Sequence, residues 1–336
     1  MSVGRGAAIF GCAGPVLLPD ERAFFADYQP FGFILFARNV DTPDQLRGLT
    51  RDLRDAVGRD APVLVDQEGG RVQRLRAPHW AEWTAPLDFV RAAGAQAAHA
   101  MNLRYRLIAR ELRSVGIDAN CAPVGDIITP DTHPFLRNRC YGDDPAAVAV
   151  IAAAVARGHL AEGVLPVAKH MPGHGRTAVD AHHDLPTVTA DRAQLAQDFA
   201  PFRALADLPM AMTGHLVFTA HDDQNPATQS PAMIRVIRDD IGFRGLLMTD
   251  DLNMQALSGD LSQRTARSIE AGCDIALHCK GDLSEMRSVA AAAGDMGAAT
   301  LRRAEAAVAA RCWNPQDDTA ALTAELSAIM AGKPHG

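Results

Sequence analysis

Short, continuous apolar runs alternate along the chain with longer stretches in which apolar residues recur every three or four positions. Each run is too short for a helix, is rich in Val, Ile, Leu or Ala, and is bounded by Gly, Pro or charge. This pattern is typical of strands that are buried on both faces. The runs predict eight strands: Ala7–Cys12, Phe33–Phe36, Pro62–Val65, Ile117–Pro123, Leu165–Ala168, Met210–Thr213, Gly245–Thr249 and Asp274–Leu277.

The stretches between the strands have the spacing of amphipathic helices. In the first of them, Leu46, Leu49, Leu53 and Val57 fall on one helical face behind the starting signal Asp41-Thr42-Pro43. The pattern predicts helices at Asp41–Val57, Arg91–Val115, Asp144–Glu162, Asp191–Ala206 and Ser262–Ala271, and a helical tail from about Gly281 that is broken near Trp313.

Eight strands that alternate with helices predict a (β/α)₈ barrel of the TIM type, and we expect residues 1–336 to form this single domain with its helical tail. A doubly wound parallel sheet is the second interpretation. It is disfavoured because the first strand is followed by Gly11-Cys12-Ala13-Gly14-Pro15, which lacks the glycine spacing of a dinucleotide-binding turn.

Composition excludes several classes of protein. The 336 residues carry 33 basic and 40 acidic side chains, a net charge of −7, which argues against a nucleic-acid partner. No apolar run is long enough to cross a bilayer, and Gly11, Gly14 and Pro15 interrupt the apolar start that a signal peptide would need. The six cysteines are scattered without a Cys-x-x-Cys pair, which favours reduced thiols and a cytoplasmic location.

Polar side chains gather where the predicted strands end. In a (β/α)₈ barrel this rim, at the carboxyl ends of the strands, carries the chemistry. The segments that follow the strands there include Arg38-Asn39, Asp66 to Arg74, Asp126, Lys169 to Gly175, His215, Asp250-Asp251, and His278 with Lys280.

The segment Lys169 to Pro186 admits three chemical interpretations. A metal site on His170 and His174 is disfavoured because Pro172 and Gly173 prevent a shared helix face. A Schiff base on Lys169 lacks a phosphate-binding loop for an aldolase substrate. Acid–base chemistry by Asp180 and His182 is the third, since a carboxylate orients an imidazole. From the residues alone, a solvated loop histidine is an equally good interpretation of His182.

Asp250 and Asp251 form an adjacent pair directly after the apolar run Leu246-Leu247-Met248-Thr249. Successive side chains of a strand point to opposite sides, so one carboxylate is expected to enter the site as nucleophile or base. The other is expected to bond to backbone or to face the surface. Spacing does not decide which is which.

Taken together, five motifs resemble the bacterial β-N-acetylglucosaminidases of glycoside hydrolase family 3. They are Gly32 to Asn39, Val65 to Arg74, Lys169 to Gly175, Asp180-Ala181-His182, and Met248 to Met254. The resemblance covers residues 7 to about 280 and implies a (β/α)₈ domain with a retaining, two-step hydrolysis that needs no cofactor and no metal.

By the same resemblance, Asp250 is the nucleophile and His182, paired with Asp180, is the general acid/base; His183 stands beside it, and the register between the two histidines is open. An imidazole whose pKa is near neutrality can protonate a leaving oxygen and then deprotonate water. The positions that match those holding the N-acetylglucosamine ring are Asp66, Arg74, Arg139, Lys169 and His170.

The resemblance implies an exo-acting enzyme whose partner is a small carbohydrate, N-acetylglucosamine linked to anhydro-muramic acid and its stem peptide, in peptidoglycan recycling. Two alternatives remain: a β-glycosidase or phosphorylase with a different sugar preference, and a non-catalytic sugar-binding barrel. The presence of Asp250 together with Asp180 and His182 disfavours the non-catalytic alternative.

Overall fold

The computed structural model describes residues 3–177, 184–313 and 318–332. Within these ranges the strands are β1 Gly6–Gly11, β2 Pro30–Leu35, β3 Val63–Val65, β4 Ala119–Asn120, β5 Leu165–Met171, β6 Thr187–Val188, β7 Met210–Thr213, β8 Val217–Phe218, β9 Leu246–Asp251 and β10 Ile275–His278.

The α-helices of the same ranges fill the intervals between the strands. They are α1 Pro19–Tyr28, α2 Pro43–Val57, α3 Pro86–Ala93, α4 Ala97–Ser114, α5 Pro134–Arg137, α6 Pro145–Ala161, α7 Arg192–Asp198, α8 Ala200–Arg203, α9 Pro231–Arg235, α10 Leu261–Ala271, α11 Leu283–Ala293, α12 Ala298–Ala309 and α13 Thr319–Met330.

Eight of the strands close into a parallel barrel. Its order is β1, β10, β9, β7, β5, β4, β3, β2, and the ring closes where Phe10 of β1 pairs with His278 of β10. The closed ring confirms the predicted (β/α)₈ barrel and excludes an open doubly wound sheet. All eight predicted strands contribute to it, because each presents side chains that are buried on both faces of the sheet.

Helix α2 illustrates how local sequence sets the outer layer. The Thr42 side chain accepts the backbone N–H of Gln45 at the helix start, Pro43 occupies the first turn, and Gly58 ends the helix with φ of 63°. Its buried face is the apolar stripe seen in the sequence, including Leu46 and Leu53. This places the helix against the barrel in the predicted register.

Several helix predictions need correction. Helix α1 was not predicted, because its core-facing Phe24 and Phe25 are adjacent rather than three or four positions apart. The single helix predicted at Arg91–Val115 is two, α3 and α4, since Gly94 adopts φ of 52° between them. The helix predicted at Asp191–Ala206 is likewise divided at Phe199 into α7 and α8.

Strands β5 and β9 extend furthest beyond their apolar runs, which changes where the polar residues lie. Strand β5 continues to Met171, and β9 continues to Asp251. Lys169, His170 and Asp250 therefore lie within barrel strands rather than in the loops after them. A side chain on a hydrogen-bonded strand has less freedom than one on a loop, so these groups are held in fixed directions.

The tail predicted from about Gly281 comprises α11, which is the helix after the eighth barrel strand, and then α12 and α13. Helix α13 packs on α4, and the Arg303 guanidinium of α12 donates to Asp274 at the start of β10, at 2.7 Å. Among the described residues, no helix combines the length and apolar character that crossing a membrane requires.

Candidate active site

A cavity of about 160 Å³ opens at the carboxyl ends of the barrel strands. Six residues that the sequence singled out line it together, although they come from distant parts of the chain: Asp66, Arg74, Arg139, Lys169, His170 and Asp250. The barrel brings them together because parallel strands present their carboxyl ends on one rim. This is the position that a (β/α)₈ barrel offers a small ligand.

Lys169 and Asp66 form the centre of the cavity wall. The Lys169 ammonium lies 2.8 Å from Oδ1 of Asp66, and Arg74 donates to the other oxygen of the same carboxylate at 3.1 Å. Burial raises the pKa of Asp66, but Lys169 and Arg74 outweigh it and hold that pKa well below its usual range. The charged ammonium argues against a Schiff-base role, which needs a neutral amine.

Arg139 is held by a second carboxylate, that of Glu68. Its guanidinium makes a bidentate pair with Glu68, with Nε–Oε2 and Nη2–Oε1 distances of 2.9 and 2.8 Å. Glu68 also receives the Lys169 ammonium at 2.6 Å. Two cations that line the cavity therefore share one buried anion. The bidentate geometry of the Arg139–Glu68 pair is the strongest arrangement of a guanidinium and a carboxylate.

His170 is oriented by Asp126. Its Nδ1 lies 2.7 Å from Oδ2 of Asp126, and its Nε2 lies 3.4 Å from Nη2 of Arg139. When the imidazole is neutral, Nε2 is the acceptor, because arginine only donates, and Nδ1 carries the proton that Asp126 accepts. The Lys169–His170 and Met171–Pro172 peptide bonds are cis.

Asp250 and Asp251 face different partners. Oδ1 of Asp250 accepts the backbone N–H of Asp251 at 2.8 Å, and its second oxygen accepts no hydrogen bond from the described residues. The Asp251 carboxylate instead accepts the backbone N–H groups of Asn253 and Cys279, both at 3.2 Å. Both residues line the cavity, but Asp250 has an oxygen without a hydrogen-bond partner among the described residues, whereas the Asp251 carboxylate is bonded to two backbone N–H groups.

The surroundings of Asp250 keep it ionised. Burial raises its pKa, but His170, His215 and the Asp251 N–H outweigh burial, so that the pKa lies below its ordinary value. Burial raises the pKa of Asp251 instead. Of the two neighbours, Asp250 therefore carries its charge down to the lower pH.

Two further histidines stand near the site. His174 lines the cavity, donates its backbone N–H to Asp126 at 2.7 Å and pairs its Nδ1 with the Thr177 hydroxyl at 2.9 Å. Burial and the neighbouring His170 lower its pKa to about 4. His215 lies between the Thr228 hydroxyl and the backbone carbonyl of Asp251, at 2.7 and 3.1 Å.

Residues 178–183 lie outside the described residues. The predicted acid/base His182, its partner Asp180 and the choice between His182 and His183 are therefore not located. Within the part of the chain that is described, no cluster of three or more His, Cys, Asp or Glu side chains is arranged to hold a metal ion.

Sequence reasoning left several contributors out of the predicted site. Glu68 and Asp126 anchor residues that line the cavity, and Phe36 and Phe135 supply apolar rings to its wall. The two carboxylates do follow predicted strands, which is a usable signal. The phenylalanines carry no signal in the sequence, because an apolar residue near a strand end is ordinarily part of the core.

Comparisons with known proteins identify the family. The protein-family model described as the glycosyl hydrolase family 3 N-terminal domain matches residues 18–310. A β-hexosaminidase of Bordetella avium is 33% identical over 322 residues, which cover 92% of this chain and 91% of that protein. A β-hexosaminidase of Alkalilimnicola ehrlichii is 36% identical over 285 residues, covering 82% and 80%.

The chain belongs to glycosyl hydrolase family 3. Solved structures of family 3 relatives have the same fold: NagZ from Neisseria gonorrhoeae superposes with a TM-score of 0.82 at 28% identity and covers 98% of this chain and 97% of its own. A family 3 β-N-acetylglucosaminidase from a Paenibacillus strain gives a TM-score of 0.84 at 26% identity, covering 96% of this chain and 67% of its own. The family and the enzyme class, a glycoside hydrolase of the β-N-acetylhexosaminidase type, are therefore confirmed.

Proposed function

We propose that this family 3 hydrolase is an exo-acting, retaining β-N-acetylglucosaminidase. The observation that carries the proposal is the Asp250 carboxylate, which lines the cavity with one oxygen fixed by a backbone N–H and the other left for a substrate. An ionised carboxylate in this position can attack the anomeric carbon of a sugar and form a covalent glycosyl-enzyme. The names of the relatives support N-acetylglucosamine as that sugar.

The cations and the carboxylate around Asp250 suit the recognition of a sugar ring. Lys169, Arg139 and Arg74 donate hydrogen bonds, Asp66 accepts them, and His170 presents its ring beside Arg139. Sugar hydroxyls and an acetamido group offer both donors and acceptors. A neutral sugar can therefore hydrogen-bond both to the cations and to the carboxylate of the cavity wall. Binding energy gained at remote hydroxyls orients the anomeric carbon over Asp250.

We infer that His182 protonates the leaving oxygen and then deprotonates water, with Asp180 as its partner. This part of the proposal rests on the sequence motif, since both residues lie outside the described ranges. Among the described residues of the cavity, the other carboxylates already have partners: Asp66 is paired with Lys169, and Asp251 accepts two backbone N–H groups. A second catalytic carboxylate of the usual retaining kind has no support there.

The substrate we propose is N-acetylglucosamine linked to anhydro-muramic acid with its stem peptide, which would place the enzyme in peptidoglycan recycling in the cytoplasm. All six cysteines are free thiols, as a reducing compartment favours. The bulky aglycone would extend outward from the cavity mouth.

Assays with chromogenic substrates test the sugar preference. We expect cleavage of a nitrophenyl N-acetyl-β-glucosaminide and much slower cleavage of the matching glucoside, measured with and without added phosphate as the alternative acceptor. Cleavage of the glucoside alone would reassign the sugar, and cleavage of neither would remove the hydrolase assignment.

Trapping the intermediate tests the mechanism. A fluorinated N-acetylglucosaminyl inactivator should add its mass to the tryptic peptide that runs from Gly245 to Arg264 and contains Asp250. An adduct on any other peptide, or on Asp251 within this one, would exclude the proposed nucleophile.

A test of His182 uses leaving groups of different acidity. His182→Ala should slow substrates with poor leaving groups far more than activated ones, because activated ones need little protonation. His183→Ala is the matched control and should affect both kinds equally. The opposite pattern would transfer the acid role to His183.

A further inference from the structure

Glu68 contributes to the site without entering the cavity. Its side chain is completely buried, and it is absent from the described residues that line the cavity wall. A buried carboxylate of this kind is costly to desolvate and is retained only where strong partners surround it. Its partners therefore indicate what it does.

Those partners are two of the cations that face the substrate cavity. Oε1 of Glu68 lies 2.6 Å from the Lys169 ammonium and 2.8 Å from Nη2 of Arg139, and Oε2 lies 2.9 Å from Nε of Arg139. Lys169 belongs to β5, whereas Arg139 follows α5. One carboxylate thus joins binding groups that come from two separate elements.

The pairing decides which donors remain for a ligand. A lysine ammonium has three N–H groups, and Asp66 and Glu68 take two of those on Lys169. Arg139 directs Nε and Nη2 to Glu68, which leaves its Nη1 with no partner among the described residues. Because both side chains line the cavity, the remaining N–H groups are the ones that a sugar can meet.

The backbone of Glu68 is held as firmly as its side chain. Its N–H donates to the carbonyl of Val72 at 2.8 Å, and its own carbonyl accepts from Nη2 of Arg104 at 2.8 Å and from the Tyr105 hydroxyl at 3.2 Å. Both of these residues belong to helix α4. Glu68 is therefore fixed to helix α4 before any substrate binds. A site that is preorganised in this way loses less conformational entropy on binding.

The charges of Glu68, Lys169 and Arg139 stabilise one another. Burial raises the pKa of Glu68, but Arg139 and Lys169 outweigh burial and bring it to about 2. The carboxylate is therefore ionised at neutral pH, and because the pKa values of Arg139 and Lys169 are raised, both cations are charged with it.

We propose that Glu68 is a positioning residue of this hydrolase, which sets the direction of the Lys169 and Arg139 donors that hold the terminal sugar. The inference rests on the proposed function, since it takes Lys169 and Arg139 to bind N-acetylglucosamine. It predicts a defect in substrate binding, whereas a merely structural ion pair predicts a defect in stability alone.

Glu68→Gln is the first test. The amide keeps the volume but has no charge and one acceptor oxygen instead of two, so whichever way it turns, at least one N–H group of Lys169 or Arg139 faces an N–H₂ group. We expect KM for the chromogenic N-acetylglucosaminide to rise about 10- to 100-fold, by analogy with the loss of a hydrogen-bond partner behind a metal-binding side chain, with a smaller change in kcat. Calorimetry with N-acetylglucosamine itself should show a matching loss of affinity.

Glu162 offers a matched control. It is also completely buried and pairs with two arginines, Arg106 at 2.8 Å and Arg110 at 2.9 Å, but it lies at the end of α6, outside the cavity lining. Glu162→Gln should lower thermal stability and leave KM unchanged. If Glu68→Gln behaves in the same way, with an unchanged KM and an unchanged affinity for N-acetylglucosamine, Glu68 is structural and the inference is wrong.

Two further measurements keep the test decisive. If Glu68→Gln does not fold, Glu68→Asp retains the charge but is one methylene shorter, so it cannot reach both cations, and KM should still rise. In a Lys169→Met background, Glu68→Gln should raise KM by a smaller factor than in the wild type, because part of its action passes through Lys169. Full additivity would contradict the inference.

Failure of the proposed function gives a different result. If the wild type cleaves only the glucoside, the sugar assignment is wrong, and the comparison of Glu68→Gln with Glu162→Gln is made with the glucoside. A rise in KM for Glu68→Gln alone would then support the positioning role independently of the sugar.

Discussion

Oδ1 of Asp250 accepts the backbone N–H of Asp251 at 2.8 Å, so the second of two adjacent carboxylates helps to orient the first through the main chain. Asp251 in turn directs its own carboxylate to the N–H groups of Asn253 and Cys279. The pair is asymmetric although the residue types are the same. Each aspartate should therefore fail differently when it is changed.

Asp250→Asn should lower kcat/KM by roughly 10⁴-fold or more, because a neutral amide cannot form the glycosyl ester. Thermal unfolding should be nearly unchanged, since one oxygen of Asp250 accepts no hydrogen bond from the described residues. Asp251→Asn is the comparison: its amide oxygen can still accept both backbone N–H groups, so stability should fall by less than about 1 kcal/mol and turnover should remain measurable. An inactive Asp251→Asn beside an active Asp250→Asn would reverse the roles.

Asp126→Asn should misorient His170. Asp126 accepts the Nδ1 proton at 2.7 Å, which leaves Nε2 as an acceptor toward Arg139. An amide N–H₂ at this position would favour the other tautomer and set an N–H against a guanidinium donor. We expect a loss in kcat/KM of about 100-fold. The ¹⁵N shifts of the His170 imidazole should show the change of tautomer, and unchanged shifts with full activity would exclude the role.

Gly69→Ala should be much more damaging than Gly58→Ala, although both glycines have positive φ, 104° and 63°. A Cβ at Gly58 meets nothing within 4 Å. Gly58→Ala should therefore lower the free energy of unfolding by only about 1 kcal/mol, because alanine disfavours positive φ. A Cβ at Gly69 would lie 2.0 Å from Nη2 of Arg104 and 2.7 Å from the Thr84 carbonyl, which adds overpacking for a total of roughly 2–5 kcal/mol. Urea unfolding measures both.

Gly69→Ala should also raise KM, because Arg104 supports the Glu68 carbonyl at 2.8 Å. Equal destabilisation by the two glycine variants would show that the Arg104 contact is easily displaced.

His159 should make stability depend on pH. It is completely buried, accepts a hydrogen bond from Asn120 at 2.9 Å, and burial lowers its pKa to about 3. Between that value and the unfolded pKa of about 6.5 the unfolded chain binds more protons, so stability falls as pH falls through this window. His159→Gln should reduce the slope of unfolding free energy against pH by about 1.4 kcal/mol per unit.

Urea unfolding of both proteins between pH 4 and 6.5 measures this slope. His174, whose pKa is lowered to about 4, still titrates in the variant, so a residual slope is expected there. Identical slopes in the wild type and in His159→Gln would show that His159 is not the buried neutral group described here.

Local sequence was a good guide wherever burial is continuous along an element. The eight apolar runs became the eight barrel strands, and α2 begins and ends at its predicted signals. It failed where the pattern is short or irregular: α1 buries the adjacent Phe24 and Phe25, and β6 and β8 have two residues each. Elements of this kind are stabilised by contacts made elsewhere in the fold rather than by their own periodicity.

The sequence by itself determined the architecture and the set of polar groups at the rim, because hydrophobic periodicity and the parallel barrel act on every residue of a strand in the same way. Only the tertiary structure decided how those groups are paired. Glu68 meets Arg139 across 71 positions, and Asp66 meets Lys169 across 103. Such pairings depend on where each side chain points once the barrel has closed. Because the strength of a charged contact falls off within a few ångströms, small differences in direction decide the partner. Neighbouring aspartates that look alike in the sequence therefore acquire different partners.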